Sequence, residues 1–234
     1  MTDAVVGGAT GRLGSIVCRL ISGSGDLELG GAVVSAGDEN ISEEVSGTEV
    51  AAKAVAGIPE TNTDPISGAM AVPDGTLGLL ASDTGKFGTS SLAAAGLAMG
   101  VNVFRKACGM PAGHLPDYDA EVIGTHRDRK KDARGTAEEA VRRLRAASGV
   151  TGTVYGRGDT AGPRGREIGV HSIRAGDVAG DHTVLFAKNS NVIELKHRTG
   201  SRDVFALGCI GSISRTAEKK DGKVHGMDEV LGIC

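Results

Sequence analysis

An apolar run that ends in glycine, "AVVGG" at residues 4–8, leads directly into "ATGRLGSIVCRLIS", where Leu13, Ile16, Val17, Leu20 and Ile21 recur at helical spacing. A second apolar run, "LELGGAVVS" from Leu27 to Ser35, follows within a few residues. Strand, tight turn, helix and strand in that order predict a parallel βαβ unit with a right-handed crossover. Gly8, Gly11 and Gly14 form a GxxGxxG pattern in the turn. Glycine lets a phosphate approach backbone N–H groups, and a helix N-terminus adds roughly half a positive charge. The loop from Gly8 through Ala9, Thr10, Gly11, Arg12 and Leu13 to Gly14 therefore reads as a pyrophosphate cradle, with an ordinary glycine-rich βα turn as the plain alternative. The end of the second strand, Val34-Ser35-Ala36, has neither the acid that binds a ribose hydroxyl nor the base that binds a 2′-phosphate. It favours neither NADH nor NADPH.

The chain has 234 residues, 40% of them hydrophobic, and a formal net charge of −3. That length supports one large domain or two small ones, and the charge argues against general nucleic-acid binding, which needs a surplus of Lys and Arg. No apolar run approaches the roughly 18–20 residues that span a bilayer, and the N-terminus lacks the basic start of a secretory signal. The expectation is a cytoplasmic protein that binds no membrane. Four dispersed cysteines without a CxxC pair, and six histidines without metal-ligand spacing, predict free thiols and no metal site. Aromatics at 3% leave little for stacking platforms.

Between Ala36 and Gly100 only one strand is expected, at 76–81. Past Pro116 the segments "DAEVIGTHR", "GTVYGR", "REIGVHSIRAG", "HTVLFAK" and "NVIELKHRT" read as strands, the last two joined by a "KNSN" turn into a hairpin. One helix, 137–147, interrupts them, with Glu138/Arg142 and Glu139/Arg143 as i,i+4 pairs. "VFALGCIGSISRTAEKK" returns to helical spacing, and "GMDEVLG" forms a short last element. The fold class is α/β: a Rossmann-like dinucleotide-binding domain, 1–102 with 204–234, plus an α+β substrate and oligomerisation domain, 103–203, with a mostly antiparallel sheet.

"GTHRDRKKDARGTA", Gly124 to Ala137, sets His126 and Lys130 four apart just before a helix. Thr136 and Glu139 form a T-x-x-E capping box that would fix the helix start. Backbone N–H groups at Gly135 and Thr136, with Lys130 and Arg127, would suit a carboxylate, and a histidine beside them can exchange a proton near neutral pH. A solvated charge run is the alternative.

The second half, with "IRAGDVAGDHTV" at 173–184 and "HRTGSRDVFALG" at 197–208, resembles the dihydrodipicolinate reductase family. The resemblance includes "GGATGRLG" near the start. It implies NADH- or NADPH-dependent reduction of a cyclic, unsaturated dicarboxylate in lysine and diaminopimelate biosynthesis, with the substrate in a cleft between two lobes and a homotetramer as the assembly. By the same resemblance His126 and Lys130 are the catalytic pair, Gly135 and Thr136 bind a substrate carboxylate, and Arg127 replaces the second of two adjacent histidines. Ser82, Asp83 and Thr84 stand where the family has a "GTTG" turn beside the nicotinamide, and the loop before Gly135 is one residue shorter than the family's "DAPSGTA". These departures motivate a second reading, a catalytically impaired relative that binds dinucleotide or dicarboxylate without turnover. A third, an aspartate dehydrogenase-like enzyme, is opposed by "RAGDVAGDHT".

Overall fold

The computed structural model describes residues 2–7, 9–11, 13–34, 39, 41–45, 48–49, 52–54, 91–92, 97–130, 135–158, 162–201, 203–219, 221, 223 and 224–233. Gly8, Arg12, Ser82, Asp83, Thr84 and the strand expected at 76–81 lie outside them. The chain divides into two compact units, Met1–Met99 with Asp203–Cys234, and Gly100–Arg202.

In the first unit, β1 (Thr2–Gly7), α1 (Gly14–Ser22) and β2 (Leu27–Val34) form the βαβ unit expected from the glycine loop. The two strands pair parallel from Thr2↔Leu27 to Gly7↔Val33, and β3 (Ala52–Ala54) extends the sheet beside β2. On α1 the buried positions Gly14, Val17, Cys18 and Ile21 follow an i, i+3, i+4, i+7 stripe. The stripe packs into one core with Val6, Leu29, Ala32 and Val34. Helix α1 also packs on α4 (Asp203–Ala217), which adds Ala206 and Cys209 to that core. Gly208 on α4 has no alternative: a Cβ there would collide with the Leu97 carbonyl. The strands β4 (Ser91–Leu92) and β10 (Val224–His225) pair parallel, and α5 (Met227–Leu231) closes the core with Met227 and Val230.

The second unit holds a five-stranded sheet in the order β6-β7-β5-β8-β9, made by β5 (Asp119–His126), β6 (Gly152–Tyr155), β7 (Glu167–Arg174), β8 (Gly180–Lys188) and β9 (Asn191–Thr199). The expected antiparallel pairing holds for β5·β8 and β8·β9, and the sheet is partly parallel as well, at β6·β7 and β5·β7. Parallel pairing needs a long crossover, and α3 (Thr136–Ser148) together with β6 supplies it between β5 and β7. The hairpin β8–β9 turns at Asn189 and Ser190, both at positive φ (51° and 60°), the backbone a two-residue primed turn requires.

Two helices pack on this sheet. Helix α2 (Met99–His114) contributes Phe104, Cys108 and Ala112, and α3 contributes Ala137, Ala140, Val141 and Leu144; they meet Ala120 and Val122 of β5, Ile168 and Val170 of β7, and Val184 and Phe186 of β8. Cys18, Cys108 and Cys209 are buried free thiols whose pKa burial raises to about 11, 12 and 12. That makes them poor nucleophiles.

Candidate active site

The apolar, helix-facing rows of β5 and β8 change character at one end. Along β5, Ala120 and Val122 are followed at the same alternation by Gly124 and His126. Along β8, Phe186 and Val184 are followed by His182 and Gly180. The register sets Gly124 opposite His182, and His182 opposite His197 of β9. Three histidines are therefore gathered by pairing rather than by sequence proximity.

The rings of His126 and His182 meet edge to face, 4.9 Å between centroids. Phe104 of α2 lies 6.4 Å from His182 and 6.1 Å from His197. The glycines make room: a Cβ on Gly124 or Gly180 would lie 3.6 Å from the nearest histidine ring atom, and one on Gly100 would lie 3.0 Å from His197 Nε2. His182 is only 4% exposed, and neither of its ring nitrogens has a hydrogen-bond partner among the described residues. Burial above all, with repulsion between a charged ring and the neighbouring His126, Arg105, His197 and Lys130 after it, lowers its pKa to about 3. His197 is also shifted down, by burial first and by Arg105, with Asp181 pulling the other way. His182 therefore stays neutral at physiological pH.

After His126 the chain is pinned by its backbone. The Ala175 N–H donates to the His126 carbonyl (2.9 Å), the Asp128 N–H to the Gly176 carbonyl (3.0 Å), and Arg174 Nε to the Lys130 carbonyl (2.9 Å). Arg127 lines an open depression of about 820 Å3 with Asp128, Arg129, Asp177, Gly200 and Ser201. Its Nε is buried with no hydrogen-bond partner among the described residues.

The start of α3 departs from the expected capping box. Gly135 is the N-cap, at φ 97° and ψ −117°, backbone that favours glycine. Thr136 is thus the first helical residue, and no side-chain cap bond forms. Its Oγ1 instead accepts from Arg105 Nη2 at 3.1 Å, and Arg105 Nη1 donates to Asn102 Oδ1 at 3.4 Å. Glu139 turns the other way and accepts from Arg142 (2.7 and 2.5 Å) and Arg143 (3.0 Å). The i,i+4 pair Glu139/Arg143 forms as expected, while Arg142 bonds Glu139.

Two residues that motif reading did not select stand beside the expected ones, His182 against the His126 ring and Arg105 against the Thr136 hydroxyl. Asn102 and His197 were missed as well. Period-two reading of "GDHTVLF" would have placed His182 on the row of Val184 and Phe186. Arg105 had no such signal, because its partner lies 31 residues away.

In the first unit Ala9 is buried, Gly11 exposed, and α1 starts without a side-chain cap or an acidic residue in its first turn. An uncapped, acid-free helix N-terminus fits an anionic pyrophosphate. Ala9, Thr10, Gly11, Leu13 and Gly14 are the described residues that could hold it.

The family profile described as "Dihydrodipicolinate reductase, C-terminus" matches residues 100–231. The 4-hydroxy-tetrahydrodipicolinate reductase of Methanosarcina barkeri is 48% identical over 136 residues, which is 58% of this chain and 51% of that one, so this match spans about half the relative's length. The enzyme of the same name from Methanoregula boonei is 34% identical over 100% of this chain and 99% of its own. The solved structure "Dipicolinate bound Dihydrodipicolinate reductase from Paenisporosarcina sp. TG-14" covers 98% of each chain with a TM-score of 0.71 at 18% identity, which shows a shared fold. The chain belongs to the dihydrodipicolinate reductase family.

Proposed function

We propose that this chain catalyses the NAD(P)H-dependent reduction of a cyclic dihydrodipicolinate-type dicarboxylate to tetrahydrodipicolinate, in lysine and diaminopimelate biosynthesis. The observation that carries the reading is the second unit's strand end: His126 packed against a neutral His182, with Lys130 close enough to act on that ring and the uncapped α3 start tied in through Arg105. A dianionic substrate needs fixed cations, oriented N–H donors and a proton source together.

In this reading Arg127, Gly135 and Thr136 hold the substrate carboxylates. His126 and Lys130 deliver the proton that complements hydride addition, a role His126 suits because imidazole exchanges protons near neutral pH. The neutral state of His182 favours this, since that ring adds no positive charge opposing protonation of His126. The described part of the β1–α1 loop, Ala9, Thr10, Gly11, Leu13 and Gly14, holds the pyrophosphate, with Gly8 and Arg12 completing it. Ser82, Asp83 and Thr84 are assigned to the nicotinamide side by the family resemblance alone. NADH or NADPH supplies the hydride.

We assign the protein to the cytoplasm and to a homotetramer. Among the described residues no helix is long and apolar enough to cross a membrane. The exposed Val192 and Ile193 on β9, the outermost strand of its sheet, support an oligomer surface, because a bare apolar edge invites pairing. Likeness to the Methanoregula boonei reductase across the full chain weighs against an impaired relative.

The test is a coupled assay in which the upstream synthase generates the unstable substrate and oxidation of NADH and of NADPH is followed separately. Oxidation of at least one is expected. Folded protein that oxidises neither would overturn the proposal.

A further inference from the structure

The contact between Arg105 and Thr136 bears directly on how a substrate carboxylate is held. Arg105 projects from α2, is 3% exposed, and places Nη2 3.1 Å from Thr136 Oγ1. Asn102, one turn earlier and 5% exposed, receives Nη1 and steadies the guanidinium. A hydroxyl has one proton to donate and two lone pairs to accept with; a guanidinium can only donate and stays charged at every relevant pH. The Thr136 oxygen is therefore the acceptor in this bond, and its own proton must go elsewhere. A threonine inside a helix usually gives that proton to a carbonyl of the preceding turn, but Thr136 is the first helical residue. Among the described residues its hydroxyl donates to no other group.

We propose that Arg105 is a positioning residue that commits the Thr136 hydroxyl to donate to a carboxylate of the bound dicarboxylate. This rests on the functional reading above and adds to it a residue outside the quoted motifs. The guanidinium charge also polarises the O–H bond, which strengthens donation to an anion. Gly135, at φ 97°, completes the arrangement by taking the N-cap position, so that Thr136 is not drawn into capping its own helix.

The alternative is that Arg105 merely braces α2 against α3. A double-mutant cycle on Arg105→Met and Thr136→Val separates the two, with dipicolinate as the binding probe by calorimetry and steady-state kinetics alongside. Each single variant is expected to weaken dipicolinate binding and raise KM about tenfold, the scale of one hydrogen bond to a charged group. Both should lower kcat less than they raise KM. The double variant should be no weaker than either single, because both remove the same donated bond. Thr136→Ser, which keeps the hydroxyl, should bind as the wild type does, and Arg105→Lys should fall between. If Arg105→Met fails to fold, the cycle is run with Arg105→Lys, which keeps a buried cation. Additive effects, or Arg105 variants that bind dipicolinate normally, would overturn the proposal while leaving the reductase reading intact. Wild-type protein that neither binds dipicolinate nor turns over would overturn both.

Discussion

Helices α1 and α3 both start after a glycine-bearing loop, and neither start is closed by a side-chain cap. The resemblance ends there. Helix α1 begins in ordinary helical backbone at Leu13, has no acid in its first turn, and draws its positive end from the peptide dipoles. Helix α3 begins at a glycine with φ 97° and carries Glu138 and Glu139 in its first turn. Its acids would weaken an anion site, but the Glu139 carboxylate is paired by Arg142 and Arg143, which offset its charge and draw it along the helix. On the other side the buried Arg105 reaches the first hydroxyl. On the proposed reading, a dipole alone serves a ligand bound by backbone over several residues, whereas a small dicarboxylate is met by a fixed side-chain cation beside the helix end.

The largest effect expected from breaking the second region alone is on turnover. His126→Ala removes the proposed proton donor and should lower kcat by about 10²–10⁴, the range for general acid catalysis. Lys130→Ala should act in the same direction. Neither should change dinucleotide affinity, measured by protection from thermal unfolding, if the two helix starts serve separate ligands. A matching loss of dinucleotide binding would erase that distinction.

The secondary structure of the second unit was legible because strand alternation and the i,i+4 charge pattern are local signals. "HTVLFAK", "NVIELKHRT" and the helix after Gly135 all appear close to their expected places. Strand direction was legible only where a short turn fixed it, in the β8–β9 hairpin; alternation by itself says which face a residue takes and nothing about its neighbour. Helix α2 went unread: it carries Pro111, and small residues such as Gly100, Ala107, Gly109 and Gly113 dilute its apolar stripe. With α2 went Arg105, and with Arg105 the reason Thr136 does not cap its helix. The capping box failed because a bond across 31 residues outcompeted a local one. The candidate pair His126 and Lys130 came from the motif, but the ring packed on His126 came from register between β5 and β8.

A smaller and more diagnostic effect follows from pH. His182 has an ordinary pKa near 6.5 when unfolded and about 3 when folded, chiefly through burial. Above pH 6.5 the ring is neutral in both states and contributes nothing to pH dependence. Between 6.5 and 3 the unfolded chain takes up a proton that the folded chain refuses, so stability falls as pH falls. From pH 6.5 to 4.5 the loss should be roughly 2–3 kcal/mol, at 1.36 kcal/mol per pH unit. His197, shifted in the same direction, adds to it. Acid should therefore loosen the second unit around His182. Amide exchange at pH 4.5 ought to show early opening in β5 and β8, and His182→Gln should flatten the acid limb of the denaturation curve. An unchanged slope in that variant would mean His182 titrates normally.

The smallest effect tests the first helix start. Gly11 is exposed in the loop leading to α1, and the Ser15 N–H already donates to its carbonyl at 2.9 Å. Gly11→Asp would place a carboxylate beside the end of a helix whose first turn otherwise has no acid. A like charge near the proposed pyrophosphate position should weaken NADH or NADPH binding by about tenfold, equivalent to about 1.4 kcal/mol. Raising the ionic strength should recover part of the loss, because an exposed carboxylate is screened within a Debye length of roughly 10 Å at 0.1 M salt. Gly11→Asn adds similar bulk without charge and separates the two causes. If Asn and Asp weaken binding equally and salt restores neither, shape rather than the helix field governs this loop, and the contrast between a dipole-built and a cation-built helix start fails on the α1 side.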